Sequence, residues 1–232
     1  MTFAKLGLVL GLVAAMAMPL EAHDVTQHVV GPADNVAGPV DNYVYQLAPP
    51  GSYRLPVIKA ATGGIVLDQT GTRHELHDLL TGHFTFFAFI YTRCGDVCPL
   101  ATMRLAQLGE LAGSVEGKKL RLITMSFDPD HDTPERMAEF AKPWLDANDH
   151  NRTPWLFLTA PSRTAIEPLL AGYKQPLAPK VDKNGAFQPI SHLMRVFLID
   201  EKARIRNIYS PDFLDPRLML NDLLTLADDS DS

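Results

Sequence analysis

The chain has 232 residues, 46% of them hydrophobic, which is enough for one substantial core and excludes wholesale disorder. Its formal net charge of −6 excludes a general nucleic-acid binder, because neutralising phosphates needs a basic surface. In chain order, Lys5 precedes an apolar run from Leu6 to Leu20, about fifteen residues, shorter than the roughly 20 a spanning helix needs. With Ala22 as a cleavage position, residues 1–22 read as a secretory signal, the alternative being an uncleaved anchor. No cysteine lies near this run, which excludes a lipoprotein anchor there. Residues 23–51 are rich in Pro, Gly, Asn, Asp and Val without a sustained period and form an irregular leader. His23 and His28 within it read as solvated surface histidines rather than ligands.

A single domain is expected over 52–228. Leu55–Lys59 and Ile65–Asp68, separated by Thr62-Gly63-Gly64, predict an N-terminal β-hairpin. Phe84 to Tyr91 is an unbroken apolar and aromatic run with one Thr, as for a central strand buried on both faces. Pro99 to Ala112 follows as a helix, with Ala101, Leu105, Leu108 and Ala112 at helical spacing and Pro99 in the first turn. Leu120–Phe127 is the next strand. Pro134–Asn148 is helical, with Pro143 expected to kink or interrupt it. Trp155–Thr159 is a strand and Arg163–Tyr173 a short helix. The segment Lys174–Ile190, carrying Pro176, Pro179, Pro189, Asn184 and Gly185, reads as a long exposed loop. Leu193–Asp200 and Arg204–Tyr209 form a hairpin around Glu201-Lys202. Pro216–Ala227 closes the chain, entered through Asp215-Pro216, and 229–232 is a frayed acidic tail. This order is that of an α/β, thioredoxin-like domain: a central sheet flanked by helices, with an N-terminal β-hairpin extension.

The chain's two cysteines, Cys94 and Cys98, lie between the central strand and its helix. An exported chain meets an oxidising compartment, where two cysteines most simply form a structural disulfide. A bridge here would close a very short loop and restrict the unfolded chain little, so the spacing suits chemistry better than stability. Ligand sites in open α/β sheets form at strand carboxyl ends, and a helix N-terminus offers unpaired N–H groups and partial positive charge. Both stabilise thiolate, the form that attacks disulfides and binds metals, so at least one cysteine is expected to have a lowered pKa. The familiar redox dithiol has two intervening residues where this pair has three, and on the pair alone redox exchange and metal binding both stay open.

His192 weighs the choice. It stands just before the apolar strand Leu193–Ile199. In a thioredoxin-like fold the loop before that strand passes beside the dithiol, where a histidine completes a Cys₂His site. Two thiolates and an imidazole suit copper, whereas zinc usually wants a fourth ligand. The gap of roughly ninety residues between Cys98 and His192 rules out a compact zinc finger.

Together the motifs resemble the Sco (SenC) family of copper-binding assembly factors for cytochrome c oxidase. The resemblance covers about residues 52–228 and rests on four groups of residues. The first is Phe89, Tyr91, Thr92, Cys94, Cys98 and Pro99. The second is Asp128-Pro129 with Asp132-Thr133-Pro134-Glu135. The third is His192 before Phe197-Leu198-Ile199-Asp200, and the last is Ile208-Tyr209-Ser210. It implies one copper ion, Cu(I) or Cu(II), held by Cys94, Cys98 and His192. It also implies delivery to, or thiol reduction of, the copper site of oxidase subunit II or another copper enzyme, with a copper donor protein and a thiol reductant as further partners. Family members are commonly membrane-anchored, whereas this N-terminal run suits a soluble periplasmic protein. Membrane contact stays open.

Two other readings use the same cysteines. In a thiol–disulfide oxidoreductase Cys94 attacks and Cys98 resolves, with no obligatory metal. A peroxide-reducing enzyme fits less well, because the second cysteine starts the helix. Asp132 or Thr133 is expected to cap the helix at Pro134, with Asp132 and Glu135 as a capping box. Arg93 and Asp96 flank the ligands as solvated loop residues or as shapers of the local field. Met103, Met125, Trp144 and Trp155 are expected to pack rather than bind.

Overall fold

The computed structural model describes residues 46–94, 97–113, 119–145, 153–175, 178–181, 187–191 and 193–230. The expected signal 1–22, His23, His28, Asp96 and His192 lie outside them.

An eight-stranded sheet runs in the order β1-β10-β9-β4-β5-β6-β2-β3. Its strands are β1 (Lys59–Ala60), β2 (Ile65–Asp68), β3 (Arg73–Glu75), β4 (Phe84–Ile90), β5 (Leu120–Ser126), β6 (Trp155–Thr159), β9 (Val196–Ile199) and β10 (Arg204–Tyr209). All seven residues of β4 are buried, as the unbroken apolar run requires of a strand covered on both faces. β4, β5 and β6 are parallel, and β9 returns antiparallel against β4. Phe87 and Phe89 face one side, where Tyr173 packs at 5.0 and 5.4 Å between ring centroids. The helices are α1 (Leu76–Leu80), α2 (Val97–Ala112), α3 (Pro134–Leu145), α4 (Arg163–Gly172) and α5 (Pro216–Ser230). Ala101, Leu105 and Leu108 of α2 are fully buried, as their spacing predicts. The thioredoxin-like arrangement is the one the chain adopts, and the strands at Trp155–Thr159 and Arg204–Tyr209 fall where the sequence places them.

The N-terminal hairpin forms with a different partner strand. β2 pairs with β3, not with Leu55–Lys59. The turn between β2 and β3 is closed by Asp68, whose carboxylate accepts from the N–H groups of Thr70 and Thr72, and by Gly71 at φ 83°. Burial raises the Asp68 pKa. The hydrogen bonds from Thr70, His74 and Thr72 outweigh that and hold it down at about 2. Leu55–Lys59 instead runs out along β10, with Ile58 N–H on the Ile205 carbonyl at 2.9 Å. Residues 61–64 therefore join β1, at one edge of the sheet, to β2, the strand beside the other edge, rather than turning tightly. On the way Thr62 packs against Gly172, where an added Cβ would meet the Thr62 hydroxyl at 2.1 Å.

The expected loop Lys174–Ile190 contains an antiparallel ribbon, β7 (Ala178–Val181) with β8 (Phe187–Ser191). Pro179 and Pro189 disguise it in the sequence, yet a two-stranded ribbon leaves each strand an outer edge, where proline is tolerated. The strand expected from Leu193 begins only at Val196, and Leu193 is 51% exposed. Pro143 lies in the last turn of α3, where the one helical hydrogen bond it forgoes, to the carbonyl four residues earlier, falls near the helix end. The final helix continues to Ser230, into the stretch expected to fray.

Residues 46–53, spanning the end of the leader and the start of the domain, are strapped to α5. The Asn221 amide donates to the Ala48 carbonyl at 2.9 Å and Gly51 N–H donates to the Thr225 hydroxyl at 3.0 Å. Tyr53 donates to Asp222, which also accepts from Tyr209 and Asn207. Among the described residues, no helix is long and apolar enough to cross a membrane.

Candidate metal and thiol site

The parallel register Ile90↔Ser126 makes β4 and β5 end side by side. The loop after β4 and the turn after β5 therefore leave the same end of the sheet. β9 enters from that end too, because Val196 pairs with Ala88. Leu193–Arg195 thus brings the chain in beside the cysteine loop, and His192, immediately before, lies outside the described residues.

Cys94 and Cys98 are not joined in a disulfide. Cys94 is half-buried on the loop, whereas Cys98, in the first turn of α2, is 1% exposed. The Cys98 N–H donates to the Cys94 sulfur at 3.4 Å. This is one of the N–H groups that a helix leaves unpaired at its start, and here it favours negative charge on that sulfur. The Cys98 carbonyl is tied down by the Thr102 hydroxyl at 2.9 Å.

Tyr91 is a site residue that the sequence places in the motif without giving it a role. It is 8% exposed, and its ring lies 5.1 Å from that of Phe127. Burial, then the charge and hydrogen bond of Cys94, then the charge of Cys98, push its pKa up to about 12.

The turn from Ser126 to Thr133 grips the two residues ahead of Cys94. Asp132, 0% exposed, accepts from the Thr92 N–H at 2.9 Å, from the Thr92 hydroxyl and from the Ser126 hydroxyl. Asp128, 4% exposed, pairs with the Arg93 guanidinium at 2.7 Å. Ser126 joins the two, since its hydroxyl also accepts from the Asp128 N–H at 3.0 Å. Asp132 is therefore not the helix cap. Thr133 caps α3, its carbonyl accepting from Met137 N–H at 2.9 Å and its hydroxyl from Arg136 N–H at 3.4 Å. Its hydroxyl also bonds Glu135 and holds that carboxyl below its ordinary pKa. Arg163, at the start of α4, pairs with Asp130 at 2.7 Å and approaches Asp128 to 3.9 Å.

Met125 is in the core, but Met103 is 38% exposed on α2. Trp155 packs against Trp144 with centroids 6.0 Å apart and donates to Thr124 at 3.0 Å. Among the described residues, no three His, Cys, Asp or Glu side chains gather into a metal-holding group. The described donors are the two sulfurs.

A sequence profile of the SCO1/SenC family matches residues 65–228. The SCO1 protein homolog of Bacillus subtilis (strain 168) is 32% identical over 100 residues, 43% of this chain and 49% of that protein. The chain spans about half or less of the length of the curated relatives it matches. A SCO1/SenC family lipoprotein from Bacillus anthracis str. Ames superposes with a TM-score of 0.63 at 24% identity, covering 76% of this chain and 99% of the other. Arabidopsis thaliana ScoI, solved with copper bound, superposes with a TM-score of 0.62 at 18% identity, covering 73% and 99%. At these identities the structures share the fold.

Proposed function

The chain belongs to the SCO1/SenC family, and from that premise we propose that it is a copper-binding assembly protein holding one copper ion through Cys94, Cys98 and His192. The observation that carries this reading is the pair of cysteines, not joined in a disulfide, that flank the start of α2, with the Cys98 N–H aimed at the half-buried Cys94 sulfur. Two sulfurs in such a setting are soft donors, and an imidazole beside them completes a set suited to Cu(I) while tolerating Cu(II). The Arabidopsis relative solved with copper bound is consistent with that donor chemistry.

The cargo's destination in this proposal is the copper site of cytochrome c oxidase subunit II or another copper enzyme, which the protein loads with metal or keeps in the thiol form. The site of action is the periplasm, reached through the signal at 1–22 or from an anchor in the inner membrane. A copper donor and a thiol reductant supply the metal and the electrons. The pair must be reduced before loading, because a disulfide has no thiolates to offer. His192→Ala tests the ligand set. The expected result is weaker copper binding and a shifted thiolate charge-transfer band, and an unchanged affinity and band would refute the three-ligand site.

A second reading is favoured by the unequal exposure of the two sulfurs. In a thiol–disulfide oxidoreductase the accessible Cys94 attacks a partner disulfide, and the sheltered Cys98 resolves it. Cys98→Ala should then accumulate a mixed disulfide on Cys94, and His192→Ala should leave turnover intact.

A further inference from the structure

We propose that Asp132, acting through Thr92 and with Ser126, is a positioning residue for Cys94. It holds the pair in its separated dithiol geometry, and so sets how readily the pair closes into a disulfide and how well it holds a soft metal. The metal half rests on the reading above; the disulfide half does not.

The two cysteines stand on different supports. Cys98 is carried by α2, its carbonyl bonded to Thr102 and its helix packed through Ala101 and Leu105. Cys94 lies on the loop ahead of the helix, where the Cys98 N–H of α2 reaches its sulfur. The backbone of that loop is held by the turn after β5. Asp132 takes both the N–H and the hydroxyl of Thr92, two residues before Cys94. The carboxylate is itself fixed. It accepts from Ser126 at the end of β5, and the Asp132 N–H donates to the Asp128 carbonyl at 2.8 Å. Ser126 has both functions of its hydroxyl engaged, one on Asp132 and one on Asp128. Asp132 is sealed from water, so its hydrogen bonds are not exchanged with solvent.

Closing the pair means bringing the Cys94 sulfur onto the Cys98 sulfur, off the Cys98 N–H that now points at it at 3.4 Å. Because Thr92 is fastened, that movement strains the bracket or the first turn of α2. The bracket therefore favours the dithiol over the disulfide. In glutathione the exchange is balanced as follows. The protein's two thiols give up two protons and two electrons, one sulfur–sulfur bond forms in the protein, and one breaks in glutathione disulfide to release two glutathione thiols.

The experiment equilibrates the full chain in mixtures of reduced and oxidised glutathione and counts free thiols after acid quenching. Asp132→Asn should move the equilibrium toward the disulfide about ten- to a hundred-fold, the scale of hydrogen bonds to a charged group. Thr92→Val loses one hydroxyl contact to Asp132, Ser126→Ala loses its hydroxyl's contacts to Asp132 and Asp128, and both should move it less, in the same direction. Thr133→Ala uncaps α3 without touching the cysteine loop, and should lower stability while leaving the equilibrium within about twofold. The Cu(I) affinity of the bracket variants should fall in the same order as their thiol equilibrium shifts. If Asp132→Asn and Thr92→Val melt earlier but keep the wild-type thiol equilibrium within about twofold, Asp132 is merely structural and the proposal is overturned. Should Asp132→Asn fail to fold, Thr92→Val and Ser126→Ala decide the matter by the same readout. A wild-type chain that binds no copper overturns the copper reading, and the glutathione equilibrium still judges the bracket.

Discussion

Asp132 and Asp222 are both carboxylates sealed inside the protein, at 0% and 2% exposure. Each accepts three hydrogen bonds from neutral groups. Asp132 takes the N–H and hydroxyl of Thr92 and the hydroxyl of Ser126. Asp222 takes the hydroxyls of Tyr53 and Tyr209 and the amide of Asn207. Chemically they are near twins, since a buried carboxylate is tolerated only when its oxygens are satisfied. They differ in what they fasten. Asp222 ties Tyr53 and β10 to α5, and none of these three partners lies in the cysteine loop. Asp132 ties the cysteine loop to the turn after β5. The same local chemistry serves cohesion in one place and the geometry of a reactive pair in the other.

The largest expected effect separates the two. Asp222→Ala leaves three donors without an acceptor, Tyr209 buried and Tyr53 and Asn207 half-buried, and should cost about 3 kcal/mol. That corresponds to a melting temperature lower by roughly 6–12 °C. Copper bound per folded molecule and the glutathione equilibrium should stay at wild-type values. If either moved with Asp222→Ala, the division between a cohesive and a site-shaping carboxylate would fail.

A smaller effect comes from pH. Burial, then the charge and hydrogen bond of Asp222, raise the Tyr209 pKa well above its usual value, and burial followed by the Asp222 hydrogen bond raises that of Tyr53. A phenol whose folded pKa exceeds its unfolded value of about 10 contributes stability that is complete below that pH. That contribution is lost as the pH rises, over about 10 to 12 for Tyr91 and over a wider span for the two phenols on Asp222. Denaturant midpoints should therefore fall steeply above about pH 10. The fall should be shallower in Tyr91→Phe, at the site, and in Tyr53→Phe, at the clasp. Equal slopes in wild type and both variants would show that neither phenol is protected as described.

The smallest effect concerns the turn between β2 and β3, whose Asp68 shares no partner with either carboxylate. The Asp68 pKa is held at about 2, below its unfolded value near 4. It contributes stability above the unfolded value, and this is lost as the pH falls from about 4 to 2. Asp68→Asn should be modestly less stable than wild type at neutral pH, with the gap closing across that acid window. A constant gap down to pH 2 would argue against the charge on Asp68.

Much of this protein is written locally. The run from Phe84 is apolar at every position but one, and a run of strand length can be buried on both faces only at the centre of a covered sheet. Cys94 and Cys98 announce themselves because thiols are scarce and their spacing on a helix start is chemically legible. The motif around Asp128–Glu135 marks a turn entering a helix. Which of its residues caps that helix was not legible, since Asp132 and Thr133 are equally good caps on paper. Tertiary structure decided it. β4 and β5 end together through Ile90↔Ser126, and the cysteine loop offers Asp132 two donors that a helix cap would have had to forgo. The hairpin partner of β2 was decided in the same way, by an Asp68 turn nearer in sequence than Leu55–Lys59 and by an edge of β10 left for the latter. Sequence by itself determined the elements and the reactive pair, because periodicity and scarce residue types act over a few residues. Only the fold decided which buried carboxylate holds that pair, because hydrogen-bond partners 40 residues apart meet only after the strands between them have paired.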